Sequence, residues 1–187
     1  EIYTLTLHDA LPILDREKLI EPGQFRIQWY VDAGSKAIIM QAATAYPVAR
    51  YMDFFDYVPA SEIPGVLNRS SILLQLANTF ASDGPKGFMT TKLFESMAVG
   101  KPLLCVKSDE SCLEATIRNT RSGLAARTAE EAFRFILHHY QFWQDNGYTH
   151  INPDKEAVDR FSRKKQAEQF MRIFSRLNSK LQTWKGI

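Results

Sequence analysis

From Phe25 onward the apolar positions switch between two periods. Phe25, Ile27, Trp29 and Val31 alternate with Arg26, Gln28 and Tyr30 between Pro22-Gly23 and Gly34, a period of two that predicts a strand over roughly 25–31. Ser35 to Tyr46 (SKAIIMQAATAY) is rich in helix formers, opens on a candidate Ser35 cap and stops before Pro47, so it predicts a helix. Val48 to Tyr57 reads as a second strand. Ala60 to Asn68 reads as a short helix with Ser61 as its cap, and Ser71 to Ala77 as a third, largely buried strand.

The same order continues. Thr91 to Val99 sets Leu93 over Met97 and Phe94 over Ala98, one turn apart, and ends at Gly100-Lys101-Pro102. Gly100 suits the left-handed residue after a helix, and Pro102 blocks continuation. Leu103 to Val106 is an unbroken apolar run, the pattern of a parallel strand covered on both faces. Ser108 to Thr120 and Thr128 to Trp143 predict helices around a short strand at Leu124 to Ala126. Lys155 to Gln182 predicts one helix with Phe170, Phe174, Leu177 and Leu181 on a stripe. Strands separated by helices need crossover connections, so the class is α/β, a Rossmann-like parallel sheet with flanking helices. Ligands in such sheets sit beyond the carboxyl ends of the strands, which singles out the loops 32–35, 57–61, 78–91 and 107–111.

Composition adds limits. The chain has 187 residues, 45% hydrophobic and 24% charged, which suits one domain and excludes disordered and collagen-like classes. No apolar run reaches membrane-spanning length and no secretory leader pattern opens the chain, so a cytoplasmic protein is expected. Cys105 and Cys112 lack zinc or disulfide spacing, which reads as reduced thiols. The net charge of +2 hides an asymmetry: Arg160 to Ile187 holds eight Lys/Arg against Glu168 alone, and the rest is net acidic. Glu1 to Ile13 resembles a translated sequencing adapter, so residues 1–13 are expected to be non-native and outside the fold. The other reading of that segment is a short strand built on Ile2, Leu5 and Leu7.

The segment 78–95 carries the candidate chemistry. Gly84 and Gly87 let the backbone approach a ligand, and the helix start beyond them offers unpaired N–H groups with partial positive charge. Thr90 and Thr91 can cap that helix or bond an oxygen, and Lys86 and Lys92 add cations, so a phosphate or diphosphate would fit. Neither G-x-x-x-x-G-K-[ST] nor G-x-G-x-x-G occurs there; a surface turn before a capped helix is the other reading. Glu95, four residues after Thr91 and on its face, can accept two hydroxyls of a ribose or simply pair with Lys92. His138 and His139 have no ligand-spaced partner, and no metal is expected. The basic stretch 160–185 reads as a helix docked through its apolar stripe, or as one lying weakly on anionic lipid. No recognised module accompanies its charge, so no nucleic-acid partner is expected.

Lys92-Leu93-Phe94-Glu95-Ser96-Met97-Ala98-Val99-Gly100-Lys101-Pro102-Leu103-Leu104 resembles the K-x-F-E-x-x-A-x-G-K-P-hydrophobic core of the C-terminal domain of GT-B glycosyltransferases, group one or family four. Phe55 to Pro64 resembles the F-x-G-Y-V-x-x-x-E-I strand, loop and helix of that family, Ser71 to Leu76 its next strand, and Phe161-Ser162-Arg163 its F-S-R helix opening. The likeness spans about 25 to 182. It implies a nucleotide-sugar donor domain over 14–153 and a basic amphipathic helix over 154–187. It implies Glu95 on the ribose, the backbone at Thr90, Thr91 and Lys92 near the diphosphate, and Tyr57-Val58 at the base. Gly87 stands where the family has a second glutamate against the donor sugar, so Lys86 or Asp83 would substitute. Asp56 stands where the family has glycine. Sugar would pass to a saccharide or lipid-linked acceptor in cell-envelope assembly without metal or cofactor. The family's acceptor domain is not present in this chain, which is expected to be an inactive fragment. The rivals are a non-catalytic nucleotide-binding module and a nucleotide-sugar epimerase of the same fold.

Overall fold

The computed structural model describes residues 5–44, 48–76 and 89–184. In chain order the elements are α1 (Leu5–Arg16), β1 (Ile27–Tyr30), α2 (Ala33–Ala43), β2 (Met52–Phe55), α3 (Ile63–Arg69), β3 (Leu73–Leu76) and α4 (Thr91–Val99). Then come β4 (Leu103–Val106), α5 (Cys112–Asn119), β5 (Gly123–Ala126), α6 (Ala129–Asn146), α7 (Lys155–Asp159) and α8 (Arg163–Trp184). The fold is α/β and Rossmann-like, with all strand pairs parallel. The described strands form two small sheets rather than one: β1 pairs with β2, and β3, β4 and β5 lie side by side.

Strand β4 organises the core. All four of its residues are buried, and its period-two alternation sends them to opposite faces. Leu104 and Val106 join Trp29, Met52, Ile136 and Tyr140 in one apolar cluster, which both sheets share with α1 and α6. Leu103 and Cys105 join Leu93 and Met97 of α4 and Leu113 and Ile117 of α5 in the other. Gly123 of β5 lies so close to β4 that a Cβ there would meet the Leu103 carbonyl oxygen at 1.8 Å. Gly100 ends α4 with φ 72°, as its place before Pro102 predicts.

Three expectations are corrected. First, the segment expected to be non-native is not outside the fold from Leu5 onward: Ala10 and Leu11 are completely buried, with Leu14, in the larger cluster, and α1 packs on α6. The buried residues Ala10, Leu11 and Leu14 follow a helical spacing, and α1 is tied down by Asp15, which accepts from the Tyr51 hydroxyl and the Arg50 guanidinium. Second, the helix expected from Ser35 is capped by Asp32, whose carboxylate accepts from the Ser35 backbone N–H at 2.9 Å. Likewise Ser61 caps nothing, since α3 starts after Glu62 without a side-chain cap.

Third, the last helix is broken and its stripe is bare. Helix α7 stops at Asp159, Phe161 stacks on Phe94 with centroids 5.4 Å apart, and the Ser162 hydroxyl accepts the Lys165 N–H to start α8. Beyond that anchor Phe170, Phe174 and Leu177 are 63%, 61% and 52% exposed instead of docked. Leu181 lies outside the described side chains.

Burying Leu11 makes a testable claim about α1. Leu11→Ala should cost ~2–5 kcal/mol and lower the thermal midpoint by at least ~4 °C; an unchanged midpoint in a calorimetric scan returns the segment to the status of an appendage.

The core also contains a titratable group. His139 is 6% exposed, and burial, followed by the neighbouring His138, pushes its pKa from 6.5 down to about 4. The unfolded chain therefore takes up a proton that the folded chain refuses between those values. Stability is complete above pH 6.5 and declines as the pH falls through the window, by at most ~1.4 kcal/mol per pH unit. Denaturant titrations at pH 7 and 4.5 should show that His139→Leu loses less on acidification than the parent; equal losses contradict the assignment.

Candidate functional site

The candidate residues lie where helices follow the carboxyl ends of strands. Beyond β3, α4 turns Leu93, Ser96 and Met97 inward and leaves Thr91, Lys92 and Glu95 exposed. Their spacing accounts for this: residues one turn apart share a face, and the apolar i, i+4 pair Leu93 and Met97 claims the other. Among the described residues no ion pair joins Lys92 to Glu95. Thr90 stands at the N-cap with extended backbone but makes no side-chain cap bond, and its buried Oγ1 has no partner among the described residues. Lys86, Gly87 and Asp83 lie outside the described residues.

Tyr57 and Val58 follow β2. The Tyr57 hydroxyl donates to Asp32 Oδ2 at 3.1 Å, while the ring is 71% exposed, and Val58 is half-buried. Asp32 also accepts from the Ser35 hydroxyl at 2.8 Å. The Ser35 backbone N–H, then its hydroxyl and Tyr57, hold the Asp32 carboxyl at about 2, below its ordinary 3.8. Thr90, Thr91, Lys92 and Glu95 thus form one group on α4, and Tyr57 belongs to a second with Asp32. No hydrogen bond or ion pair among the described residues joins the two groups.

A third polar group stands beyond β4 and β5. Asp109 accepts from the backbone N–H groups of Ser111, Leu113 and Glu114 at 2.9–3.0 Å, capping α5 from outside it. The Ser108 hydroxyl donates to Glu114 at 2.5 Å, and Arg127 donates to both Glu114 oxygens at 2.6 and 3.1 Å. Arg127 first, and Ser108 second, hold the Glu114 carboxyl at about 2 against an ordinary 4.5. Sequence reasoning singled out the loops 32–35 and 107–111 but none of these side chains. Asp32 was legible, because an Asp before a helical run is an N-cap signal; Glu114 and Arg127, thirteen residues apart, meet only through the β4–β5 pairing.

Capping separates these helix starts. Asp32 serves α2, Asp109 serves α5, and Thr128 accepts the Glu131 N–H to serve α6. Helix α4, like the short α3, has no such bond from its N-cap residue. Its first-turn N–H groups point along the helix axis, with the positive end of the helix dipole, out of the end at which Thr91 and Lys92 are exposed. Two surface grooves lie elsewhere: one beside β5 among Arg118, Arg121 and Arg127, one between Gly100 and Val158; neither includes Thr91, Lys92 or Glu95. Among the described residues no cluster of His, Cys, Asp or Glu has metal-binding geometry. Cys105 and Cys112 form no disulfide, and burial, followed by Asp109, pushes the Cys105 thiol up to about 12. The chain matches no known family model, and no curated protein matches it.

The Glu114 network sets a pH response. A carboxyl held below its unfolded value adds stability that is present above 4.5 and is lost as the pH falls through about 2. Glu114→Gln should therefore be less stable than the parent at pH 7, with the gap closing as both are acidified towards pH 2. A gap that stays constant in chemical denaturation across that range excludes Glu114 as the titrating group.

Proposed function

We propose that this chain is the donor-binding domain of a nucleotide-sugar-dependent glycosyltransferase, serving transfer to a saccharide or lipid-linked acceptor. The observation that carries the reading is the start of α4. Its N-cap residue makes no side-chain cap bond, and Thr91, Lys92 and Glu95 share its exposed face. The sequence resemblance supplies the family, and the α/β fold with its ligand side at the strand ends is compatible with it.

In this reading the diphosphate of the donor accepts from the first-turn N–H groups of α4 and is neutralised by Lys92. Glu95, one turn further along the same face, accepts both hydroxyls of the ribose, a bidentate use of an ionised carboxylate. Tyr57 offers a ring face to the base. As the sugar–phosphate bond breaks, charge grows on the departing diphosphate. Donors already oriented toward it stabilise that charge without rearrangement, and need no metal to do so.

Calorimetric titration of the intact chain with UDP, GDP and ADP tests this. At least one should bind by millimolar concentration, and Glu95→Gln should weaken it ten- to a hundredfold, the ~1.5–3 kcal/mol of a hydrogen-bonded charge. Saturation that Glu95→Gln leaves unaltered, or no binding by any of the three, ends the donor-site reading.

A further inference from the structure

Helix α8 carries the largest uncovered apolar face among the described residues. Phe170, Met171, Ile173, Phe174 and Leu177 are each more than half exposed. At about 3.6 residues per turn they fall on one side of the helix. All but one of its charges are positive: Arg163, Lys164, Lys165, Arg172, Arg176 and Lys180 against the single acid Glu168.

The cations are placed as well as numerous. Lys164 lies seven residues before Met171. Seven residues are nearly two whole turns, so Lys164 stands in line with one border of the apolar face. A long basic side chain at such a border lays its methylenes along apolar surface and lifts its charge into a polar layer. Lysine is depleted at protein–protein interfaces, yet here it stands at the border of the face. An apolar interior beneath a plane of negative groups matches this arrangement layer for layer.

We propose that α8 docks the protein onto an anionic lipid surface, lying in the headgroup plane with Phe170, Met171, Ile173, Phe174 and Leu177 turned toward the acyl chains. No described helix is long and apolar enough to cross a membrane, so the helix lies on the bilayer. This inference does not depend on nucleotide binding by α4, and its test reads a different event.

The intact chain is sedimented with vesicles of phosphatidylcholine alone, and with vesicles containing about one third phosphatidylglycerol, at about 0.05 and 0.5 M NaCl, between which screening tightens severalfold. Binding should occur on the anionic vesicles only and fall away at high salt. Phe170→Ser with Phe174→Ser should lower the partition coefficient by about a hundredfold or more. Lys164→Gln and Arg172→Gln should each cost roughly fivefold. These positions are exposed, so the thermal midpoint of each variant should equal the parent's, which separates lost docking from lost folding. The proposal is overturned by no binding to anionic vesicles, by equal binding to phosphatidylcholine alone, or by a double-serine variant that binds like the parent. It is also overturned if the parent instead forms a lipid-independent dimer, seen by sedimentation velocity, that the two serines dissolve.

Discussion

The alternation of four side chains on β4 holds the two faces of the three-stranded sheet in register. Leu104 and Val106 point into the cluster shared with α1, α6 and the β1–β2 sheet, while Leu103 and Cys105 point into the one built with α4 and α5. Because side chains on a strand alternate strictly, a slip of one residue would exchange the two sets and present each cluster with the other's shapes. Gly123 leaves little slack, since any side chain there would run into the Leu103 carbonyl. The orientation of α4, and so the exposure of Thr91, Lys92 and Glu95, follows from Leu93 and Met97 seating against the Leu103 face.

Against that fixed core, polar side chains at the strand ends divide by whether they are already satisfied. Asp32 and Asp109 spend their oxygens on backbone N–H groups of the helices they cap, and Glu114 spends both of its own on Arg127 and Ser108. Such groups are committed to structure: recruiting them to a ligand would release a buried or capping partner at a cost of about 1–3 kcal/mol. Lys92 and Glu95 have no such commitment to each other, although at i, i+3 they could form an ordinary helical pair. This difference separates a capped helix start from one available to an outside anion, and it is independent of any family likeness.

The fold was legible where a signal was local. The apolar run at 103–106, bounded by Pro102, identifies a covered strand, and Gly100 marks the end of α4, because both depend on neighbours in sequence. Placement was less legible. A cap can come from several positions, so Ser35 and Asp32 compete, and only the backbone geometry assigns the role to Asp32. The Glu114–Arg127 pair depends on β4 and β5 lying side by side, which no local pattern encodes. The separation of β1–β2 from β3–β5 is likewise a property of pairing. For the candidate site, sequence located the α4 face and the relevant loops, while Lys86 and Gly87 lie outside what the structure describes.

Helices α6 and α8 show why hydrophobic periodicity alone could not settle the rest. Both carry an apolar stripe, yet Ala132, Ile136 and Tyr140 of α6 are buried and Phe170, Phe174 and Leu177 of α8 are not. Periodicity states that a face prefers to leave water; it is silent about what surface receives it. Helix α6 follows β5 directly and is carried back over the sheet, where α1 completes its cover. Helix α8 begins after the break at Ser162, beyond the packed aromatic Phe161, and all but one of its charges are positive. Charge is the property that distinguishes the two stripes in sequence. The acidic balance of α6, with Glu130, Glu131 and Asp145 against Arg134 and Glu130 paired to Arg134 at 2.8 Å, suits a helix covering its own domain, whereas an excess of cations beside an apolar face selects a receiving surface that is itself negative.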